Sequence, residues 1–162
     1  MIYSKKTLDE KIKDEVHVDT DWYCIDKNGC IGIVASAGGM LPSSVVQQLN
    51  NPNNVIDYFR KLPTIADEII LENPVLDKLK TMDFNQQETY LKDLKFMTSK
   101  GLYYFDKREL NNYFDFEYFL KAKPANTLKV ENLDVVYKAI ILQTVIQIEF
   151  NIDKTFLVNQ VS

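Results

Sequence analysis

The chain of 162 residues holds one histidine, two cysteines and one tryptophan, and each scarcity removes a class of function. Two cysteines, Cys24 and Cys30, make no disulfide framework in a chain of this length, so they read as free thiols. A single histidine, His17, excludes a histidine-rich metal centre and leaves one imidazole to act as a base. Long apolar runs are missing as well. The most apolar stretch, Ala139 to Phe150, is broken by Gln143, Gln147 and Glu149 and falls short of the about 18 residues that a membrane span needs. The N-terminus carries Lys5 and Lys6 with no apolar run behind them, so no secretory signal is expected and the cytoplasm is the expected compartment. Basic charge is not in excess: 19 Lys and Arg face 23 Asp and Glu, a formal charge of −4, which withdraws the electrostatic basis for binding duplex nucleic acid.

What the chain does have is aromatic and aliphatic bulk. Nine Phe, nine Tyr and one Trp are too many for a disordered segment, and the length suits one domain over residues 1–162. Residues 1–20 are charge-rich, with Leu8, Ile12 and Val16 at four-residue spacing, and read as a short helix or a loosely held leader. A β-hairpin follows. Two β-prone runs flank Asp26-Lys27-Asn28-Gly29, where Asp opens a type I turn and Gly29 takes the positive φ after it. In that register Cys24 opposes Gly32, and Tyr23, Ile25, Ile31, Ile33 and Ala35 share one apolar face. The two cysteines fall diagonally on the other face, poorly placed for a disulfide.

Beyond the hairpin, a loop over Ser36 to Ser44 leads into a helix with an apolar edge of Val45, Val46 and Leu49. A second helix spans Val55 to Leu62 and stops at Pro63. Residues 64–82 read as helices broken at Pro74, and residues 85–100 as a helix closed by Gly101. Strands are expected over 102–106 and 113–122, at Leu128 to Val130, over 145–150 and over 155–158. A helix over 133–142 should face inward through Val136 and Ile140. Strands at both ends with helices between them give the α+β class: a mainly antiparallel sheet with an N-terminal β-hairpin, a central helical block and C-terminal strands.

Three constellations are candidates for chemistry or binding. His17, Asp19 and Asp21, two apart on an extended chain, put one imidazole and two carboxylates on one side, types that suit a divalent metal. The competing reading, a solvated approach to the hairpin, is preferred, so no metal and no cofactor is expected. Cys24 as a nucleophile would need His17 as its base, whereas a buried cysteine acting as a small hydrophobe is the ordinary state. Eight aromatics between Tyr103 and Phe119 could stack bases, but five basic residues against four acidic ones from Lys100 to Lys123 make no electropositive groove. Core packing accounts for many of these rings, and exposed ones among them would suit a protein interface.

The stretch Asp21-Trp22 with Asp26-x-x-Gly29, followed by Ser36, Gly38 and Pro42, resembles the opening hairpin of a loosely defined group of uncharacterised bacterial cytosolic proteins. Gly101 to Asp106, and Ala122 to Pro124 with Leu128, resemble its later blocks. Some members of such groups are thought to be immunity proteins that neutralise partner toxins by binding. The resemblance, the acidic balance and the lack of a catalytic constellation together point to a non-catalytic, protein-binding module with a basic protein partner, and charge and hydropathy leave neither nucleic acid nor membrane expected. Asp19, Asp21 and Asp26 are the candidate carboxylates for that partner, and Tyr103 and Tyr118 the candidate aromatic contacts. A small hydrolase or metal-dependent enzyme using His17, Asp19 and Asp21 or Cys24 is the alternative, and a structural homo-oligomer subunit the second. The oligomeric state is left open.

Overall fold

The first hairpin forms as its turn chemistry dictates. In the computed structural model, which describes residues 19–107 and 114–161, β1 (Asp21–Ile25) and β2 (Ile31–Ala35) pair antiparallel with Cys24 opposite Gly32, the expected register. Gly29 has φ 78° at the end of the turn. The expected helix or leader over residues 1–20 lies outside the described residues, Asp19 and Thr20 apart.

From β2 the chain makes one long excursion that carries most of the helices. It passes through α1 (Ser43–Asn50), α2 (Val55–Arg60), a short β3 (Ile69–Leu71), α3 (Asn73–Leu79) and α4 (Phe84–Thr98). It returns as β4 (Tyr103–Lys107), which runs parallel to β2. β5 (Glu117–Pro124) folds back on β4, α5 (Val135–Ile141) follows, and β6 (Thr155–Leu157) ends the order of strands. The result is a six-stranded, mostly antiparallel sheet in the order β1-β2-β4-β5-β3, with β6 also on β5, and an α+β fold.

Capping residues set the helix ends. Asp83 and Gln86 form a reciprocal capping box at the start of α4, and the Asn54 side chain accepts the Asp57 N–H at the start of α2. Pro74 does not break a helix as expected. It sits in the first turn of α3, where its missing N–H has no intrahelical partner to lose, and the apolar residues before it extend as β3.

Both faces of the sheet are covered. Asp21, Tyr23, Ile33, Tyr104 and Asp106 share the face under α2 and α4, where the Tyr23 ring stacks on Phe59 at 4.1 Å. Trp22, Cys24, Val34, Phe105 and Tyr118 share the other, which the C-terminal segment covers with Phe150 and Phe156. Rings meet edge-on there, as between Trp22 and Phe156 at 6.3 Å.

That covering segment departs from two expected strands. Leu128 to Val130 makes a single bridge, Lys129 to Cys30, and then a 3₁₀ turn over Val130–Asn132. Residues 145–150 make one bridge, Val145 to Ile25, rather than a strand. The reason lies in their hydrogen bonds: Ile148 C=O accepts from Lys27 N–H at 3.1 Å and Phe150 N–H donates to the Asp26 carboxylate at 2.9 Å, so the hairpin turn takes the groups a ladder would use. α5 meets half of its expected phase: Ile140 packs against the core, but Val136 is exposed, and Ile141 is buried while the Tyr137 ring lies on Tyr58 at 3.8 Å.

The far edge of β5 is completed by two segments laid end to end. Glu72 N–H donates to Lys121 C=O and Leu120 N–H donates to Lys154 C=O, so consecutive residues of β5 bond to β3 and β6 flanks. The junction is closed by Lys154 Nζ on the buried Glu72 carboxylate at 2.7 Å.

Candidate binding surface

Four elements bring charge to one end of the helix-covered face. Asp21 opens β1, Asp106 lies near the end of β4, Arg60 closes α2 and Asp93 projects from α4. Arg60 Nη2 donates to Asp93 Oδ1 at 2.7 Å, and its Nη1 stands 3.9 Å from Asp21 Oδ2. Lys121 of β5 reaches Asp106 Oδ2 at 2.9 Å and the Tyr90 hydroxyl at 3.1 Å. Asp19, just before β1, accepts the Ala37 N–H at 2.9 Å, and Ala37 sits at φ 46°, a conformation that an L residue adopts only at a cost.

The electrostatics follow from crowding. Partial burial, then the charges of Asp93 and Asp19, raise the Asp21 carboxyl to about 6 against the opposing pull of Arg60. Burial lowers the Lys121 ammonium, but Asp106 and Tyr90 outweigh it and hold the group above its ordinary value. Arg60 is partly satisfied by Asp93 and lies 5.2 Å over the Phe96 ring. Three carboxylates, Asp21, Asp93 and Asp106, thus share two cations, with Asp19 adding to the negative field at Asp21.

The other expected contacts lie in the interior, and the correction has a common cause. Asp26 is 2% exposed. Its carboxylate accepts the N–H groups of Asn28, Cys30 and Phe150, each at 2.9 Å, so it is a post for the hairpin turn rather than a surface charge. Tyr103 is buried and its hydroxyl donates to Asn151 Oδ1 at 2.7 Å, with Thr127 Oγ1 at 3.2 Å. Tyr118 is buried and its hydroxyl donates to Ser36 C=O at 3.1 Å. Neither ring is available to a partner, because the C-terminal segment covers the face both share.

Cys24 is fully buried, and burial, aided by Asp26, pushes its thiol well above the ordinary range. Cys30 is raised for the same reasons, although Lys129 Nζ lies 3.3 Å from its sulfur. Both are free thiols held in the protonated form, the inert state rather than the nucleophilic one. His17 lies outside the described residues, and no group of three His, Cys, Asp or Glu side chains among the described residues could hold a metal ion. No described helix is long and apolar enough to cross a membrane.

Arg60, Asp93, Asp106 and Lys121 were not among the residues singled out in the sequence. One signal for two of them is local: Asp106 directly follows the apolar strand run Tyr103 to Phe105, and Lys121 lies within Tyr118 to Ala122. No family model matches the chain, and neither a curated protein nor a solved structure matches it.

Proposed function

We propose that the protein is a non-catalytic binding module, of the immunity-protein type, that meets a basic protein partner through the carboxylate cluster around Asp21. The observation that carries this reading is the geometry of the cluster, in which Arg60 stands between Asp21 and Asp93 while Lys121 serves Asp106. Asp21, Asp93 and Asp106 crowd Arg60 and Lys121, and an added guanidinium or ammonium from a partner would relieve that crowding. Asp21 ionises less readily than an ordinary carboxyl, and a partner's positive charge would stabilise its ionised form. The two buried thiols held in the protonated form lend no support to a Cys24 nucleophile.

The test is kinetic. Association with a partner identified by cross-linking in the native cell should slow as salt rises, because screening over about 8 Å at physiological salt weakens steering. The Asp19→Asn, Asp21→Asn pair should slow it further at low salt. A salt-independent association rate, unchanged in the pair, removes this cluster from the interface. A second reading draws on the same group: a carboxyl near 6 suits a general acid in a small hydrolase, and turnover of a substrate abolished by Asp21→Asn would favour it.

A further inference from the structure

The outer face of α4 carries two exposed aromatic rings at opposite ends. Phe84, the first residue of the helix, is 73% exposed, and Phe96, in its last turn, is 42% exposed. Twelve residues separate them, about 18 Å along the axis at 1.5 Å per residue, so neither ring can cover the other within one chain. Their surroundings differ. Phe96 lies in an open groove of about 720 Å³ whose other walls include Arg60, Lys92, Lys95 and Ser99. The lining is mostly apolar, because the long cationic side chains lend it their aliphatic stems. Arg60 and Lys100 lie over the Phe96 ring at 5.2 Å and 4.4 Å and fix its orientation.

Charge is divided along the same face. Glu88 lies toward the Phe84 end, and Lys92 and Lys95 lie toward the Phe96 end. At 3.6 residues per turn, all five side chains leave the helix within an arc of about 120°. Glu88, Lys92 and Lys95 are exposed, and their side chains form no ion pair with another described residue.

We infer that this face is the contact between two copies of the chain, with their α4 helices antiparallel about a two-fold axis level with Tyr90. The register selects that occupant. Phe84 and Phe96 stand six residues either side of Tyr90, and Glu88 and Lys92 stand two residues either side of it. One two-fold operation therefore seats Phe84 of each copy in the Phe96 groove of the other and sets Glu88 against Lys92, each contact made twice. Lys95 falls within a turn of the same carboxylate. Parallel pairing would oppose Glu88 to Glu88 and lysine to lysine. An unrelated acidic partner would match the lysines but meet Glu88 with like charge and leave Phe84 uncovered. The contact is a weak one: a single helix face is small beside the roughly 800 Å² per partner that stable complexes bury, and each copy carries a net charge of −4. It goes beyond the binding reading of the Asp21 cluster and does not depend on it. Arg60 and Asp93 belong to both surfaces, so neither is varied in the test.

The test is sedimentation velocity on the full chain alone, from about 1 μM to about 1 mM, where a reversible monomer–dimer equilibrium is expected. Phe84→Ala should weaken the dimer at least about tenfold, because the anchor that fills each groove is gone. Glu88→Lys and Lys92→Glu should each weaken it about fivefold or more, since each sets like charges against each other. The double variant, Glu88→Lys with Lys92→Glu, exchanges the two ends of every pair and should dimerise more tightly than either single variant. All three positions are exposed, and circular dichroism checks that each variant keeps its fold. A chain that stays monomeric over the whole range overturns the inference, as does a dimer that Phe84→Ala and both charge reversals leave unchanged. So does a double variant that dimerises no better than the single ones, which refutes the antiparallel register. A dimer lost in the Asp19→Asn, Asp21→Asn pair but kept in Phe84→Ala moves the contact to the Asp21 cluster and also overturns it. No other protein is present in the measurement, so its failure leaves the reading of the Asp21 cluster untouched.

Discussion

The side-chain amide of Gln48 pairs with the main chain of Tyr23 as a neighbouring strand would: its oxygen accepts the Tyr23 N–H and its nitrogen donates to the Tyr23 C=O, both at 3.0 Å. Both residues are buried, so one side chain of α1 closes the outer edge of β1 at the point where water cannot reach. Gln48→Leu keeps the volume and abandons both bonds. It should cost about 2–4 kcal/mol, because a buried donor and a buried acceptor are left without partners. Chemical denaturation measures it, and a loss under about 1 kcal/mol would mean that the edge finds other partners.

Asp26 holds the turn to the C-terminal segment through three N–H groups. Asp26→Ala removes all three charge-assisted bonds and should destabilise the fold by about 3 kcal/mol or more. Asp26→Asn should recover only part of this, since one of its two polar atoms now donates where an acceptor is needed. Hydrogen exchange should report the difference at the Phe150 amide, which becomes the least protected of the three.

Asp21 makes stability depend on pH in the direction opposite to an ordinary salt-bridged carboxylate. Its folded value of about 6 lies above the unfolded 3.8, so the folded state binds the proton more tightly between those values. The stabilisation that the bound proton gives is fully present below about pH 4 and is lost as pH rises through 6, at most about 3 kcal/mol in all. Asp21→Asn should flatten the melting temperature between pH 4 and 7 on the wild-type scale. A wild-type profile that rises over that range contradicts the assignment.

Both thiols should survive purification without reductant. Mass spectrometry should find Cys24 and Cys30 unbridged, as free buried thiols. Cys24→Ser with Cys30→Ser should keep the fold at a cost of about 1–3 kcal/mol, since each change puts a hydroxyl where a sulfur packed.

The parts of the fold legible in the sequence are those that neighbouring residues decide. Asp26 with Gly29 fixes the first hairpin and its register, and the helix read over 85–100 is α4, Phe84–Thr98. Asp26 was legible as the turn opener but not as a buried group, because its third donor, Phe150, is distant in the chain. The same reason explains Tyr103 and Tyr118, whose face is covered only once Phe150 and Phe156 arrive. Of the carboxylate cluster, Asp19 and Asp21 could be read from the approach to β1. Their neighbours Arg60, Asp93 and Asp106 come from α2, α4 and β4, and no spacing rule joins residues so far apart.

The divided neighbour of β5 bears on the order of assembly during synthesis. When β5 leaves the ribosome, β3 has already emerged and can protect the Ile70 to Lys123 end of its far edge, while the Tyr118 end still lacks a neighbour. That half of the strand must wait for β6, with Trp22 and Phe105 uncovered until Phe156 arrives. Glu72, already committed to the end of β3, meanwhile holds a carboxylate for which Lys154 is still unmade. A nascent chain stalled before Lys154 should therefore be a substrate for holding chaperones, whereas one released after Leu157 should not.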